Sequence, residues 1–444
     1  MARATVVGLG REGLALARYL TRHGDNVTVT DRQDAPALAS EMAKLSDLRV
    51  EFALGGHPPE VLDGADTIYL SAGIKPHEPP FAGRPNLTSL TELFFDRCPA
   101  RTIVGVTGSA GKTTTTTLLG RMLEQGERRV WVGGNIGRPL LNEIDEMEPD
   151  NVVLLELSSF QLNHLRRSPN VALVTNITPN HLDWHNESMQ EYVDAKANIV
   201  AHQSTSDVAI LNAADEQSNA LAARTRARVL RWNGRDAHLK GDRVLLRGHD
   251  SEYEICRTGE LHIPGRHNVD NVMAASLAAF TLGISPQAIR DVAVTFTGVQ
   301  HRLQLVREVN GVTFYNDSIA TAPERTLAAL AVFERPVVLI AGGRDKHLPL
   351  EPLADEATRK VKTAVLLGEA AGLLQQAFDE GKRRNSAPLP SVERVDDLRQ
   401  AVGAAYRSAS PGDVVLLSPA CTSYDMFKDF EERGREFVRL VEEL

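Results

Sequence analysis

The run Ile103-Val104-Gly105-Val106-Thr107-Gly108-Ser109-Ala110-Gly111-Lys112-Thr113-Thr114 constrains the fold of this chain more than any other stretch. A β-branched segment ends in a glycine-broken turn that opens a threonine-rich helix, the order of an α/β unit. Glycines let backbone N–H groups converge on an anion, the helix N-terminus adds its dipole, and the lysine reaches the outer phosphates. Gly108, Ser109, Ala110, Gly111, Lys112, Thr113 and Thr114 are therefore the expected nucleotide-phosphate contacts, with Thr113 facing a magnesium ion. The spacing departs from the usual pattern: Gly105 lies one residue too far from Gly111, and Val106 stands where glycine is standard. An ordinary strand-to-helix turn is the competing reading, and Gly-Lys-Thr after Gly108 argues against it.

At 444 residues the chain is expected to hold three domains of roughly 150 residues. A net charge of −9 carries no basic footprint for nucleic acid, so any cationic site is local. Cys98, Cys256 and Cys421 are odd in number and widely spaced, which fits reduced thiols better than a disulfide framework or a metal ladder. The start runs directly into Ala4-Thr5-Val6-Val7-Gly8, and no run of about 18 apolar residues occurs. A cytoplasmic protein without a membrane partner is expected.

Residues 1–97 open on a short apolar strand at 5–7, followed by Gly8-Leu9-Gly10-Arg11-Glu12-Gly13 and a helical pattern in Leu14, Ala17, Arg18 and Leu20. A second strand, Val27-Thr28-Val29-Thr30, ends at Asp31, where a dinucleotide-binding unit places its ribose-binding acid. The turn leaves NAD, a UDP-like diphosphate and a purely structural role open, because helix-terminus anion binding carries no information about nicotinamide. Ile68-Tyr69-Leu70-Ser71-Ala72-Gly73-Ile74 adds a strand ending in small residues, which suits a ligand crossing the strand ends.

Residues 98–298 contain five apolar runs that read as parallel strands, at 103–106, 130–132, 152–155, 171–174 and 208–211. Ligands of such sheets bind beyond the carboxyl ends of the strands. Here four of those ends lead to Lys112, to Gly133-Gly134-Asn135-Ile136-Gly137, to Glu156-Leu157-Ser158-Ser159 and to the segment 176–181. Glu156 is placed to hold Mg²⁺ directly or through water, against a capping or surface role. His181 is expected beside the magnesium and phosphates, with a satisfied structural histidine the alternative, whereas Asp183 and His185 read as structural or as supports behind the groups that touch the ion. Lys196, on a helix, reads as a solvated lysine. Short runs at 229–232, 244–247, 253–256 and 261–263 read as a small β meander. Asn268 and Asn271 share a helical face that suits an adenine or phosphate-edge contact, with helix capping the equal alternative.

Residues 299–444 give a second set of strands at 312–315, 337–341, 364–367 and 414–417. Their ends carry Asn316-Asp317-Ser318, Gly342-Gly343-Arg344-Asp345-Lys346 and Ser418-Pro419-Ala420-Cys421-Thr422-Ser423, so a lobe supplying substrate or nucleotide contacts is expected. Cys421 in this setting reads as a small buried residue rather than a nucleophile.

Together, several of these motifs resemble the Mur ligase family, which joins amino acids to a UDP-linked muramyl precursor of peptidoglycan. They are Gly111-Lys112-Thr113-Thr114, Gly133-Gly134-Asn135-Ile136-Gly137, Leu155-Glu156-Leu157-Ser158-Ser159-Phe160-Gln161-Leu162, His267-Asn268, His301-Arg302, Asn316-Asp317-Ser318 and the segment from Leu417 to Gly434. The Glu-Leu-Ser-Ser-Phe-Gln and Ser-Pro-Ala-Cys stretches point to the D-glutamate-adding branch. The resemblance implies an N-terminal Rossmann-like UDP-binding domain (1–97), a central P-loop ATPase domain (98–298) with a parallel sheet and small β meander, and a C-terminal Rossmann-like lobe (299–444). It makes NAD the weaker reading of the glycine turn. UDP-N-acetylmuramoyl-L-alanine, D-glutamate, ATP and two Mg²⁺ ions are the implied partners, with a monomer expected.

By matching motif, Lys112 and Thr113 would meet ATP phosphates and the first Mg²⁺, while Glu156 and His181 would serve the second. Lys196 aligns with a lysine that the family carries as a carbamate, which makes it a metal-bridging anion. The resemblance places Gly10, Arg11, Asp31, Ser71 and Asn135 on the UDP substrate and Asn268, Asn271, Arg302 and Asp317 on the nucleotide. Thr321, Lys346, Ser423 and Phe430 fall where the family binds D-glutamate, and domain closure would bring Lys346 and Ser423 over the reacting groups. Two positions depart from the family pattern: Ile319 stands where lysine is usual, and Ala72 replaces a proline often seen after Ser71.

Overall fold

The computed structural model describes residues 1–163, 165–385 and 391–444. They divide into two compact units, one made of Met1–Gly259 with Val269–Ala293 and the other of Glu260–Asn268 with Val294–Leu444. The architecture is mixed α/β with largely parallel sheets.

In the first unit, β1 (Arg3–Val7), β2 (Asn26–Asp31), β3 (Val50–Leu54), β4 (Thr67–Leu70) and β5 (Leu87–Ser89) form a parallel sheet in the order β3-β2-β1-β4-β5. The helix Arg11–Arg22 lays Ala15, Leu16, Tyr19 and Leu20 into the core beside the buried side chains of β1 and β2. Gly13 makes this contact close: a Cβ there would stand 1.8 Å from the Gly8 carbonyl oxygen.

The second sheet of this unit comprises β6 (Thr102–Thr107), β7 (Val130–Gly134), β8 (Val152–Glu156), β9 (Val171–Val174), β10 (Val208–Asn212), β11 (Arg228–Trp232), β12 (Ala237–Lys240), β13 (Arg243–Arg247) and β14 (Glu252–Arg257). Its order is β14-β13-β12-β11-β10-β9-β6-β8-β7. The run at 229–232, expected in the meander, is instead a parallel strand of the main sheet, in register with β10 from Val208↔Arg228 to Asn212↔Trp232. Its crossover is only the short helix Glu216–Ala220 and the 3-10 turn Leu221–Arg224, too brief to imprint a helical period on the sequence. The antiparallel meander is β12-β13-β14, and residues 261–263 take no strand conformation.

In the second unit, β15 (Gln304–Val309), β16 (Val312–Asn316), β17 (Val337–Gly342), β18 (Val361–Leu367), β19 (Ser391–Arg394) and β20 (Val414–Leu417) stack in the order β15-β16-β20-β17-β18-β19. β15 is the antiparallel edge, joined to β16 by Asn310-Gly311, both at positive φ (+49° and +79°), a tight hairpin turn. The other neighbours pair parallel. β17 and β20 are buried throughout, so their side chains occupy both faces of the core.

Gly13→Ala sets helix propensity, worth about 1 kcal/mol in alanine's favour, against a collision with backbone that cannot rotate away. Overpacking costs about 1–3 kcal/mol or more, so the variant is expected to be less stable. A higher urea midpoint for Gly13→Ala than for the parent would refute this account of the turn.

Candidate active site

The glycine-rich loop sits at the carboxyl end of β6 and is fixed by the residues that follow β9. Ser109 N–H donates to the Asn176 carbonyl (2.8 Å) and Ala110 N–H to Asn176 Oδ1 (3.0 Å), while Thr175 Oγ1 and Asn176 Nδ2 donate to the Ala110 carbonyl (2.7 and 3.1 Å). The Ser109 hydroxyl donates to the Thr178 carbonyl (2.8 Å) and shares a hydrogen bond with the Tyr192 hydroxyl (2.9 Å). Gly108, at φ +153°, has Thr175 Oγ1 only 1.9 Å from the position of a Cβ. Gly111, at φ +81°, starts the helix Lys112–Gln125 with Asn271 Oδ1 2.4 Å from its own. Gly105 answers a different demand: inside β6 its missing Cβ makes room for Pro169, 2.7 Å away. The odd glycine spacing is thus a packing requirement of the strand.

Lys112 curls its ammonium over the loop and donates to the Gly108 and Ser109 carbonyls (2.8 and 3.1 Å). Thr113 and Thr114 lie half-buried in the same helical turn, and buried Asn271 accepts from Thr115 Oγ1 (3.3 Å). Lys196 corrects the sequence expectation of a solvated lysine: it is 1% exposed. Its helix, Met189–Ala201, buries Tyr192, Val193, Ala195, Ala197, Ile199 and Val200 as well, so it lacks the broad solvent face assumed for it. The Lys196 ammonium donates to the Gly108 carbonyl (3.0 Å) and Thr107 Oγ1 (3.3 Å) and lies 4.8 Å from the Tyr192 ring centre. Burial, reinforced by the charge of Lys112 and opposed by that of Glu156, holds its pKa well below the ordinary lysine value.

Glu156 ends β8 in the core, 1% exposed. Its Oε1 accepts from Asn135 Nδ2 (2.7 Å), and its Oε2 is buried with no hydrogen-bond partner among the described residues. An orphaned carboxylate oxygen near a phosphate loop is the donor a hard cation takes. Among the described residues no three His, Cys, Asp or Glu side chains gather into a metal cage. A Mg²⁺ ion bound by one or two carboxylates and substrate phosphates needs none. His181, at φ +52°, is exposed with its ring 5.2 Å from that of Phe160. His185 is buried against Ser159 Oγ (3.0 Å) and serves packing.

A cleft of about 710 Å³ in the same unit gathers Gly10, Arg11, Asp31, Ser71 and Asn135, together with Arg32, His57, Lys75 and Phe160. Its volume falls in the range of small-molecule sites. Asp31 also holds the glycine turn, accepting from Leu9 N–H (2.8 Å) and Gln33 N–H (2.9 Å). Ser71 Oγ donates to the Gly8 carbonyl (3.3 Å), and Arg11 donates to the carbonyls of Gly137 (2.7 Å) and Asn135 (3.3 Å). Asn135 therefore has two attachments: it lines the cleft and it grips Glu156.

In the second unit, Lys346 Nζ donates to Thr321 Oγ1 (3.1 Å). Ser423 is buried, and its carbonyl accepts from Met426 and Phe427 N–H (3.1 and 2.8 Å). The Phe430 carbonyl accepts from Ser318 Oγ (2.8 Å). Asn268 is buried and donates to the Pro264 carbonyl (2.6 Å), while Arg302 is exposed, with its N–H on the Val299 carbonyl (3.0 Å). Asp317, 4% exposed, accepts from Ser418 Oγ (2.8 Å) and Leu303 N–H (3.1 Å), yet burial pushes its carboxyl up to about 7. Burial also raises the Cys421 thiol to about 12, which leaves it inert.

The Mur ligase middle-domain profile matches residues 106–279, the Mur ligase glutamate ligase domain 301–421, and the MurD-like N-terminal domain 2–84. Over 453 aligned positions the chain is 45% identical to the UDP-N-acetylmuramoylalanine–D-glutamate ligase of Symbiobacterium thermophilum, covering 100% of this chain and 98% of that relative. The chain belongs to the Mur ligase family. The ligase of the same name from Acetivibrio thermocellus is 42% identical, with coverage of 99% and 96%. Likeness of fold extends to the UDP-N-acetylmuramate-alanine ligase of Thermotoga maritima (TM-score 0.57, 17% identity, 100% of both chains). It extends also to E. coli FolC in complex with ADP (TM-score 0.56, 18% identity, 80% of this chain and 92% of that one).

Three residues of this Mur ligase escaped sequence reasoning. Tyr192 stands one helical turn before Lys196, a spacing that puts both on one face. Lys75 donates to the Asp183 carbonyl (3.3 Å) from the cleft wall, and nothing in its sequence context marks it. Arg433 sits on the apolar stripe of its helix with Phe437 and Leu440, where a cation is conspicuous.

Asp317 makes stability depend on pH. Its folded pKa, about 7, lies above the unfolded value of 3.8, so the folded state holds the extra proton between the two. Stability is full below pH 4 on this account and falls as pH rises through 7, by up to about 4 kcal/mol. Asp317→Asn is expected to flatten that decline in urea titrations from pH 4 to 8; an unchanged slope would show the carboxyl ionising freely.

Proposed function

We propose that this Mur ligase adds D-glutamate to UDP-N-acetylmuramoyl-L-alanine in peptidoglycan precursor synthesis, using ATP to activate the acceptor carboxylate. The observation that carries the reading is Asn135, which lines the cleft of the first unit and holds Glu156 beside the phosphate loop. The full-length likeness to relatives that carry the D-glutamate ligase name supports the choice of amino acid.

A carboxylate acylates poorly because its leaving group would be an oxide. Transfer of the γ-phosphoryl group converts it to an acyl phosphate with ADP leaving, and the amine of D-glutamate then attacks the acyl carbon as phosphate departs. Such phosphoryl transfer requires alignment and charge neutralisation rather than a protein nucleophile. The N–H groups of Gly108 to Thr114 and the Lys112 ammonium bind the ATP phosphates, for which Lys112 exchanges its loop carbonyls. Arg11, Asp31, Ser71 and Gly10 hold the UDP moiety, and Asn135 orients the substrate end near Glu156. Asn268, Asn271, Arg302 and Asp317 serve the nucleotide. Thr321, Lys346, Ser423 and Phe430 receive D-glutamate, with the Lys346 ammonium facing a carboxylate.

Thr113, Glu156, His181 and Lys196 would hold Mg²⁺, which when bound neutralises charge on the phosphates. The buried Oε2 of Glu156 fits that role. Lys196 is the least usual member of the set. Its depressed pKa favours the neutral amine, the form that adds CO₂ to give a carbamate with release of one proton. The ammonium is thereby replaced by a carboxylate-like anion suited to a cation. A cytoplasmic monomer completes the proposal; among the described residues no helix is long and apolar enough to cross a membrane.

ADP release measured with the UDP substrate and a panel of amino acids is expected to rise only with D-glutamate; turnover that ignores both co-substrates, or that prefers another amino acid, defeats the reading. Lys196→Ala is expected to lose about 100-fold or more in kcat, with partial return of activity when a short carboxylic acid is added. Full activity in the variant, or none regained with the acid, would reject the carbamate.

A further inference from the structure

The helix Phe430–Glu442 turns Gly434, Phe437, Leu440 and Val441 into the core of the second unit, and with them Arg433, which is 2% exposed. Every hydrogen bond this guanidinium makes among the described residues goes to an uncharged oxygen. Nε donates to Ser318 Oγ (2.9 Å) and Nη2 to the Ser318 carbonyl (2.8 Å). Nη1 donates to the carbonyls of Gly342 (3.4 Å), Cys421 (3.3 Å) and Thr422 (3.3 Å).

Those acceptors lie at the carboxyl ends of β16, β17 and β20, three neighbouring strands. Each of the three loops also carries a residue assigned above to the amino acid. Thr321 follows Ser318, Lys346 follows Gly342 and Ser423 follows Thr422, while Phe430 starts the helix of Arg433 itself. The Ser318 hydroxyl closes the circuit by donating to the Phe430 carbonyl (2.8 Å). Burying a cation without a bonded carboxylate is costly, several kcal/mol before compensation, and packing alone would be served by an apolar residue. What an apolar residue or a lysine cannot do is address carbonyls on three loops at once, because only the planar five-donor fork reaches them.

We propose that Arg433 is a positioning residue that sets the geometry of the amino-acid pocket by tying its three loops and its helix to one guanidinium. The proposal rests on the reading that Thr321, Lys346, Ser423 and Phe430 receive D-glutamate. Lysine at this position keeps the charge and much of the volume but loses the fork. Arg433→Lys in the full chain is expected to raise KM for D-glutamate about tenfold or more, leaving KM for ATP and for the UDP substrate within about twofold. An unchanged KM for D-glutamate, or an equal rise in all three constants, overturns it. If Arg433→Lys does not melt cooperatively, Ser318→Ala decides: losing the hydroxyl between Arg433 and Phe430 should raise the D-glutamate KM about threefold and no other, and an unchanged value overturns the proposal. Should the parent enzyme prefer another amino acid, the D-glutamate reading falls by itself, and the same comparison made with that amino acid still judges Arg433.

Discussion

The ammonium of Lys196, buried beneath the glycine-rich loop, is the interaction that ties the helix Met189–Ala201 to the end of β6. Its two hydrogen-bond partners, the Gly108 carbonyl and Thr107 Oγ1, belong to the first residue of the loop and the last residue of β6. Hydrogen bonds to a charged group contribute about 1.5–3 kcal/mol each, while removing an ammonium from water costs several kcal/mol even after relaxation. Burial, with the charge of Lys112 added to it, outweighs these contacts and Glu156, so the pKa lies below the ordinary lysine value. The loop above it is shaped to match. Gly108 turns through a backbone angle that other residues avoid, and Thr175 fills the space a side chain would need.

A chain of polar contacts carries this order outward to the cleft. Glu156 is held by Asn135, whose own carbonyl accepts from Arg11 at the start of the first helix. Next to Arg11, Glu12 accepts from Gln161 Nε2 (3.0 Å), and Gln161 caps the short helix Ser159–Leu162 that follows β8. The glycine turn of the first sheet and the acid at the end of β8 are therefore parts of one network. Networks of this kind stabilise when every member is satisfied and are costly when one is missing. The exception is Glu156 Oε2, buried with no hydrogen-bond partner among the described residues.

Most of this was legible in the sequence where a strand's end carried unusual residues. Lys112, Glu156 and Asn135 follow β-branched runs, so the rule that ligands sit beyond the carboxyl ends of parallel strands located them. Position along the chain could not reveal burial. Lys196 looked solvated because charged and polar residues surround it in its helix, and its burial comes from contacts distant in sequence, the Gly108 carbonyl and Thr107 Oγ1, together with the Tyr192 ring. Strand β15 was missed although Asn310-Gly311 is the strongest hairpin signal in that region, because its own run, Gln304–Val309, mixes Arg307 and Glu308 among the apolar residues of an exposed edge. Strand β11 was found but misassigned, since pairing direction depends on a crossover that the sequence does not announce. The amino-acid contacts were proposed only through family resemblance, and Arg433, though inside the motif that carries it, was given no role there.

The two departures from the family pattern differ in what the structure makes of them. Ile319 is anchored through its backbone, its N–H on the His301 carbonyl (3.0 Å) and its carbonyl accepting from Arg325 (3.3 Å). The loop's path is thus held by the peptide rather than by this side chain. At Ala72 the peptide itself matters: its N–H donates to Glu12 Oε2 (2.8 Å), on the carboxylate whose other oxygen accepts from Gln161. Proline has no N–H to give. Replacing it with alanine adds a donor to the network between the first and second sheets, so the family's proline and this alanine fix the same loop by different physics, one by restricting φ and the other by bonding to Glu12.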